Sequence, residues 1–271
     1  MDTPGLVASD IDGTLLSPLQ EVTAGTLAAI TDVVATGTPF VLVSGRPPRW
    51  IPPVAQTTGL TGYAVCGNGA VIYDIGSNHA VSVHALDPVL LHDVAHTLLA
   101  AMPGCSLATE HSRLGPQVDE APFTAEAGFV NPWGDDGDEI TVRPRAEVLG
   151  HPSTKLLVRH DSMTSAEMLE IAKDLLGDGV DVTYSTNSGL LEISAAGITK
   201  AKGLAEVAEL AGVPQPRVIA FGDMPNDIEM LRWAGHGVAM GNAHAEVKAA
   251  ADEVTTANSE DGVALVLRRW F

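Results

Sequence analysis

The sequence is poor in cysteine and in basic residues, and each shortage excludes a class of protein. Only Cys66 and Cys105 occur among 271 residues, and they form no CxxC pattern. Neither a disulfide framework nor a zinc site is therefore predicted. Lys and Arg number 15 against 34 Asp and Glu, which gives a formal net charge of -19. Because such a chain repels nucleic acid and anionic membranes at long range, we predict neither as a partner.

Long apolar runs are lacking as well. No stretch approaches the roughly 20 residues that a membrane-spanning helix requires, and the beginning of the chain has neither the basic start nor the apolar core of a signal peptide. We therefore expect a cytoplasmic protein. The hydrophobic content of 45% is still enough for a substantial core, in one large domain or two modest ones.

Short apolar runs are present in several places, and each ends on polar residues. The runs at 6–9, 40–43, 63–66 and 218–221 have the continuous hydrophobic character of buried parallel strands. A helical pattern from Thr23 to Thr36, closed by Gly37, separates the first two and implies a right-handed βαβ unit. Ligands of open α/β sheets bind at the carboxyl ends of the strands, so the polar segments are predicted to line one crevice.

The stretch 85–188 has a different character. Helical patterns at 89–101 and 165–176 alternate with strand-like pieces at 155–159 and 180–184, and 17 acidic residues stand against 6 basic ones. We predict an inserted α+β domain at 85–188, within a core with a Rossmann-like parallel sheet formed by 1–84 and 189–271. The acidic run Asp135–Glu139 lacks the spacing of a calcium loop and is interpreted as a solvated loop.

Two carboxylates, Asp10 and Asp12, directly follow the first apolar run. Burying one carboxylate without a partner is costly, and two that repel each other cost more. A cation, a shared proton or access to solvent would resolve the problem. A metal-assisted reaction centre is the simplest of these explanations.

Four polar segments occur in a fixed order along the chain. They are Asp10-Ile11-Asp12-Gly13-Thr14, Ser44-Gly45-Arg46, Lys200 within Gly197–Gly203, and Gly222-Asp223-Met224-Pro225-Asn226-Asp227. This ordered set resembles the haloacid dehalogenase-like (HAD) superfamily, and closely the Cof-type phosphatases of its subclass IIB. The segment 258–264 is similar to the C-terminal segment of that family, so the resemblance covers nearly the whole chain. It implies a cap domain between the second and third motifs, where 156 residues separate Ser44 from Lys200.

The resemblance implies a Mg²⁺-dependent phosphatase that acts through an aspartyl-phosphate. Asp10 would attack phosphorus, and Asp12 would serve as general acid and then as general base. Ser44 and Lys200 would hold the phosphate oxygens. The metal ligands would be Asp10, Asp223 and the backbone carbonyl of Asp12, which suit the preference of Mg²⁺ for oxygen.

Further residues receive supporting roles from the same resemblance. Gly45, Arg46 and Asn68 would contact the substrate, and Asn226 and Asp227 would orient Lys200 or a water at the metal. The candidates for substrate specificity in the cap are Arg113, Trp133, Arg143 and Arg145, although a solvated arginine or a structural tryptophan is the favoured explanation for each.

Taken singly, the motif residues have ordinary explanations that the sequence leaves open. Asp12 could belong to a simple turn, Ser44 could cap a helix and Asn68 could be a left-handed turn residue. Lys202 and Lys155 are alternatives to Lys200 for the lysine of the third motif.

The expected substrate is a small phosphorylated metabolite, such as a sugar phosphate, and the chain is expected to be a monomer or a weak homodimer. Two alternatives stay open. One is a phosphohexomutase of the same subclass, which would retain the phosphoryl group. The other is a phosphometabolite-binding sensor with little turnover, for which the pair of Asp10 and Asp12 would be superfluous.

Overall fold

Apolar runs of four or five residues form the strands on which the structure is built. The computed structural model describes residues 2–116, 123–130 and 140–271. The chain divides into a core unit, 1–81 with 199–271, and an insert unit, 82–198. Trp133 and the acidic run Asp135–Glu139 lie outside the described residues.

The first part of the core unit alternates strands with helices and then forms an antiparallel pair. Thr23 caps the first helix by accepting a hydrogen bond from Thr26 N, and the helix ends before Gly37, as the sequence predicts. The elements are β1 (Leu6–Ser9), α1 (Ala24–Ala35), β2 (Phe40–Val43), α2 (Pro52–Thr58), β3 (Tyr63–Cys66), β4 (Val71–Asp74) and β5 (His79–Val83).

The insert unit contains an antiparallel-rich sheet and two long helices. Its elements are α3 (Pro88–Ala101), β6 (Ser106–Glu110), β7 (Gly115–Pro116), β8 (Phe123–Ala125), β9 (Thr141–Val142), α4 (Arg145–Val148), β10 (Lys155–Arg159), α5 (Ser165–Leu176), β11 (Val180–Thr183) and β12 (Leu190–Ala195). Its sheet has the order β11-β12-β10-β6-β8-β9 among the described residues. Apolar side chains of α3 and α5 pack with those of β10 and β12 into one buried cluster.

The chain then returns to the core unit with a second series of strands and helices. These are α6 (Lys200–Leu210), β13 (Val218–Gly222), α7 (Ile228–Trp233), β14 (His236–Ala239), α8 (Ala245–Ala250), β15 (Glu253–Val254) and α9 (Gly262–Leu267). Within the described part of the chain, no helix combines the length and apolar composition needed to cross a bilayer.

The core sheet has the order β15-β14-β13-β1-β2-β3-β4-β5, and its strands from β15 to β3 are parallel. β1 lies at its centre, where Ser9 is paired with Phe221 on one side and with Leu42 on the other. All four residues of β1 are buried. The carboxyl ends of β1, β2 and β13 therefore meet at one edge of the sheet, which is the arrangement that the polar segments need.

One strand lies in a different sheet from the one that the sequence suggests. The predicted core segment 189–271 includes the apolar run at 190–193, but β12, which contains this run, pairs with β10 and β11 in the insert sheet. Leu191 and Ile193 pack in the insert cluster. Glu192 forms a buried ion pair with Lys155 of β10, with Nζ and Oε2 2.5 Å apart. The compact insert therefore extends to residue 198.

Candidate active site

The end of β1 brings Asp10 against the end of β13. The amide of Asp10 donates to the carbonyl of Phe221 at 3.0 Å, which continues the parallel ladder for one residue beyond the strand. Asp10 therefore lies at the carboxyl edge of the sheet, and the residue is only 4% exposed. A carboxylate held at the centre of the sheet in this way needs a partner, because water reaches it poorly.

That partner is Lys200, the first residue of α6. Its ammonium lies between two carboxylates, 2.7 Å from Asp10 Oδ1 and 2.6 Å from Asp227 Oδ1. All three side chains are at least nine-tenths buried. Thr199 caps α6 by accepting from Lys202 N, so the helix start that carries Lys200 is fixed locally.

Asp227 has both carboxylate oxygens occupied. Oδ1 receives Lys200, and Oδ2 accepts from the amides of Asp223 and Met224, both at 2.9 Å. The residue is fully buried in the turn after β13. Its geometry is that of a support, since it orients Lys200 while it holds the backbone of the segment that carries Asp223.

The carboxylate of Asp223 contacts two residues of the turn that carries Asp12, Gly13 and Thr14. Thr14 Oγ1 donates to Asp223 Oδ1 at 3.0 Å. At Gly13, where φ is +79°, a Cβ atom would lie 2.3 Å from Asp223 Oδ2, so no larger residue fits without displacing the carboxylate. Oxygens of Asp10, Asp223 and Asp227 lie within 4.8 Å of one another and form a three-carboxylate cluster.

The electrostatics of this cluster follow from burial and crowding. Burial raises the pKa of Asp10 well above its usual range even though Lys200 opposes the shift, and the neighbouring carboxylates raise it further. Burial, followed by the charge of Asp227, raises the pKa of Asp223 to about 7. Burial alone would lower the pKa of Lys200, but Asp10 and Asp227 outweigh it and raise that pKa. The cluster thus holds more negative charge than its one ammonium balances.

Asp12 has a different environment from Asp10. Its side chain is 48% exposed and forms a bidentate ion pair with Arg46, in which Nε donates to Oδ2 at 2.8 Å and Nη2 to Oδ1 at 2.6 Å. The hydroxyl of Ser44, at the end of β2, accepts from the amide of Arg46 at 3.1 Å. Ser44 and Gly45 therefore form a turn that aims the Arg46 guanidinium at Asp12.

Asn68 and Asn226 meet although they follow different strands. Asn226 Nδ2 donates to Asn68 Oδ1 at 3.1 Å. Asn68 has a φ of +57°, so the left-handed conformation that its sequence position allows is observed. The next residue, Gly69, approaches Thr199 so closely that a Cβ would lie 2.1 Å from its carbonyl oxygen. This turn therefore packs against the start of α6.

Neither alternative to Lys200, Lys202 or Lys155, takes its place between Asp10 and Asp227. Lys202 is exposed on α6, and Lys155 is paired with Glu192 in the insert. Among the cap candidates, Arg145 pairs with Glu126, Arg143 Nε lies 3.6 Å from Glu147 Oε2, and Arg113 is exposed.

Sequence reasoning missed Asn242, which lies just beyond β14. Its Nδ2 donates to the carbonyl of Gly13 at 2.8 Å, and the amide of His244 in the same loop donates to the carbonyl of Asp223 at 2.9 Å. The sequence did contain a signal for this residue. An apolar run ends at Met240, and it is followed by Gly241 and then by the polar residue Asn242.

A parallel α/β sheet with a carboxylate and lysine cluster at its carboxyl edge defines a protein of the α/β class with polar groups at the edge where such sheets bind ligands. The chain belongs to the haloacid dehalogenase-like hydrolase family, whose model matches residues 7–267.

Relatives match along nearly the whole chain. It is 31% identical over 270 residues to the 5-amino-6-(5-phospho-D-ribitylamino)uracil phosphatase YitU of Bacillus subtilis, covering 99% of this chain and 98% of that one. It is 29% identical to the pyridoxal phosphate phosphatase YbhA of Escherichia coli, covering 97% of each. A haloacid dehalogenase-like hydrolase from Bacteroides thetaiotaomicron has a solved structure that matches with a TM-score of 0.73, at 28% identity and over 100% of both chains. The predictions of the family, of the fold class and of an enzyme in the class of phosphatases are confirmed.

The central ion pairs predict how the fold responds to loss of Lys200. Replacing it in Lys200→Met leaves Asp10 and Asp227 buried without a cation, so we expect a loss of about 3–5 kcal/mol in the free energy of unfolding at pH 8. Because burial holds the folded-state pKa of Asp10 above its unfolded value, protonation of Asp10 relieves the unpaired charge, and the loss should shrink as the pH falls.

Urea unfolding in EDTA at pH 8 and pH 6 measures both effects. Lys202→Met is the matched control, since Lys202 is exposed two residues along the same helix. A Lys200→Met protein no less stable than the control at pH 8 would contradict the account of the cluster.

Proposed function

We propose that this protein is a Mg²⁺-dependent phosphatase that hydrolyses small phosphomonoesters through an aspartyl-phosphate at Asp10. The observation that carries the proposal is the buried cluster of Asp10, Asp223 and Asp227 around a single lysine. The names of the relatives, which are phosphatases of a phosphoribitylamino-uracil and of pyridoxal phosphate, support the class of substrate.

The residues present fit a divalent cation. Three buried carboxylates face one ammonium, and burial together with the charge of Asp227 raises the pKa of Asp223 to about 7. Asp227 is already committed to Lys200 and to two amides. Asp10, Asp223 and the carbonyl of Asp12 would therefore hold the metal, and such hard oxygen donors favour Mg²⁺. When bound, Mg²⁺ neutralises phosphate charge and stabilises the charge that develops on the transferring phosphoryl group.

The chain's own residues would carry the two chemical steps. A carboxylate oxygen of Asp10 attacks phosphorus, the ester P–O bond breaks, and Asp12 gives its proton to the departing alkoxide oxygen. Asp12, now ionised, takes a proton from a water molecule that attacks the same phosphorus. The bond from phosphorus to Asp10 breaks, which releases phosphate and restores both side chains.

The placement of the two aspartates suits this division of work. Asp10 is rigid and buried beside Lys200, which can also neutralise a phosphoryl oxygen near the nucleophile. Asp12 is half-exposed and can reach a leaving group. In the structure both of its carboxylate oxygens accept hydrogen bonds from Arg46. Ser44, Gly45 and Asn68 lie in neighbouring turns at the same edge and are proposed to contact the phosphate or the rest of the substrate.

Several predictions about the protein's surroundings accompany this proposal. A cytoplasmic location, a monomer or weak homodimer, and the lack of nucleic-acid and membrane partners stay predictions. The sugar phosphates remain the favoured substrates within the class of small phosphorylated metabolites.

A phosphate-release screen tests the proposed activity. With Mg²⁺ and a panel of sugar phosphates, pyridoxal phosphate and p-nitrophenyl phosphate, the wild type should release phosphate from at least one member. Asp10→Asn should lose at least about 100-fold of that activity, because the amide is a poor nucleophile. EDTA should abolish release by the wild type.

The outcomes separate the alternatives. Release that survives Asp10→Asn excludes the proposed nucleophile. A mutase would need a bisphosphate and would return phosphorylated product instead of free phosphate. Tight binding of a panel member with no turnover would indicate a sensor.

The raised pKa of Asp223 predicts that protons compete with the metal. Because a carboxylate must be ionised to bind a cation and the pKa of Asp223 is about 7, Mg²⁺ affinity should be about 10-fold weaker at pH 6 than at pH 8. Calorimetric titration of the protein with Mg²⁺ at the two pH values measures this ratio. Asp223→Asn should remove most of the binding at both, and a wild-type affinity that is equal at both pH values would contradict the assignment.

A further inference from the structure

The turn formed by residues 11–16 is held at two backbone carbonyls by asparagines from distant parts of the core unit. Asn242 Nδ2 donates to the carbonyl of Gly13 at 2.8 Å. Asn258 Nδ2 donates to the carbonyl of Leu16 at 2.7 Å, in a contact that is buried. These two carbonyls flank the short stretch that follows Asp12, so the asparagines fix the path of the chain directly beyond it.

The two asparagines are also joined to each other. The amide of Asn258 donates to Asn242 Oδ1 at 2.9 Å, so Asn242 uses both ends of its side-chain amide. A continuous series of hydrogen bonds therefore runs from Gly13 through both asparagines to Leu16. Asn258 is 9% exposed, and a buried amide left without these partners would be costly, which makes the linkage specific for asparagine.

The same loop that carries Asn242 holds the segment of Asp223. The amide of Met240 donates to the carbonyl of Gly222 at 3.0 Å, and the amide of His244 donates to the carbonyl of Asp223 at 2.9 Å. The loop 240–244 thus contacts the backbone of Gly222 and Asp223 with its amides, and it contacts the turn of Asp12 with the side chain of Asn242. Within the turn of Asp12, Thr14 and Gly13 also contact the carboxylate of Asp223 directly.

We infer that Asn242 and Asn258 are positioning residues for the reaction. They hold the turn so that the carboxylate of Asp12 and the carboxylate of Asp223 keep a fixed relation to each other. They act through the backbone and are not proposed to touch the substrate. The inference rests on the proposed function, since it assigns their effect to the acid and base role of Asp12.

The choice of leaving group distinguishes positioning of Asp12 from general damage. A sugar alkoxide needs a proton as it departs, whereas p-nitrophenolate is stable without one, so a misplaced general acid slows only the first reaction strongly. The value of kcat/KM reports the step in which Asp10 is phosphorylated. For Asn242→Ala and Asn258→Ala, we expect kcat/KM to fall about 10-fold or more for the fastest sugar phosphate of the panel and less than about 3-fold for p-nitrophenyl phosphate.

Asn78→Gly is the matched control. Asn78 also makes a side-chain hydrogen bond, from Tyr73 Oη at 2.8 Å, and its φ of +55° suits glycine. It follows β4, which runs antiparallel to β3 from the active-site edge, so Asn78 lies beyond the opposite edge of the sheet. Its replacement should change neither value of kcat/KM.

Asn242→Asp gives a second test on an exposed residue whose replacement leaves the core intact. Aspartate keeps the size of the side chain and the acceptor for Asn258, but it sets a carboxylate oxygen against the carbonyl of Gly13. The loss for the sugar phosphate should be at least as large as in Asn242→Ala. Equal losses for the two substrates, or an aspartate variant as active as the wild type, would overturn the inference. An Asp10→Asn protein that stays active would instead overturn the proposed function.

Discussion

The structure depends on one interaction, the contact of a buried ammonium with two buried carboxylates. Lys200 touches Asp10 at the end of the central strand and Asp227 in the turn after β13, so it ties the start of α6 to two strand ends. Charges taken out of water this completely are tolerated only when each has a partner. The partners here do not balance, because Asp223 adds a third carboxylate. The remaining negative charge makes this edge of the core sheet suited to binding a cation.

Around this contact the aspartates take different environments. Asp10 and Asp223 are buried, and their pKa values are raised, whereas the carboxylate of Asp12 reaches solvent and pairs with Arg46. A buried carboxylate beside a more accessible one suits the proposed two-step phosphoryl transfer, with Asp10 as nucleophile and Asp12 as acid and base. The turn that carries Asp12 is nevertheless not loose. Contacts at Gly13, Thr14 and Leu16 bind it to Asp223 and to the loop beyond β14.

Local patterns in the sequence predicted much of this arrangement. Asp10, Ser44 and Asp223 each follow a buried apolar run, so their positions at the strand edge could be foreseen from their neighbours in sequence. Lys200 was assigned to the same site by the family resemblance alone. The sheet to which β12 belongs could not be foreseen, because an apolar run indicates a strand but not the strands that it pairs with. β12 pairs with β10, and contacts such as that of Glu192 with Lys155 fix this pairing. Asn242 was missed for the same reason, since its contact with Gly13 spans 229 positions.

The central claim is that Asp10 becomes phosphorylated, and an Asp12→Ala protein tests it most directly. With p-nitrophenyl phosphate the first step needs no acid, whereas the second lacks its base, so the phosphorylated enzyme should accumulate. Acid quenching, reduction with borohydride and peptide mass spectrometry would then locate the modified residue. We expect homoserine at position 10 in the Asp12→Ala protein and none in the Asp10→Asn, Asp12→Ala double variant. Release of one equivalent of p-nitrophenolate with Asp10 unmodified would contradict it.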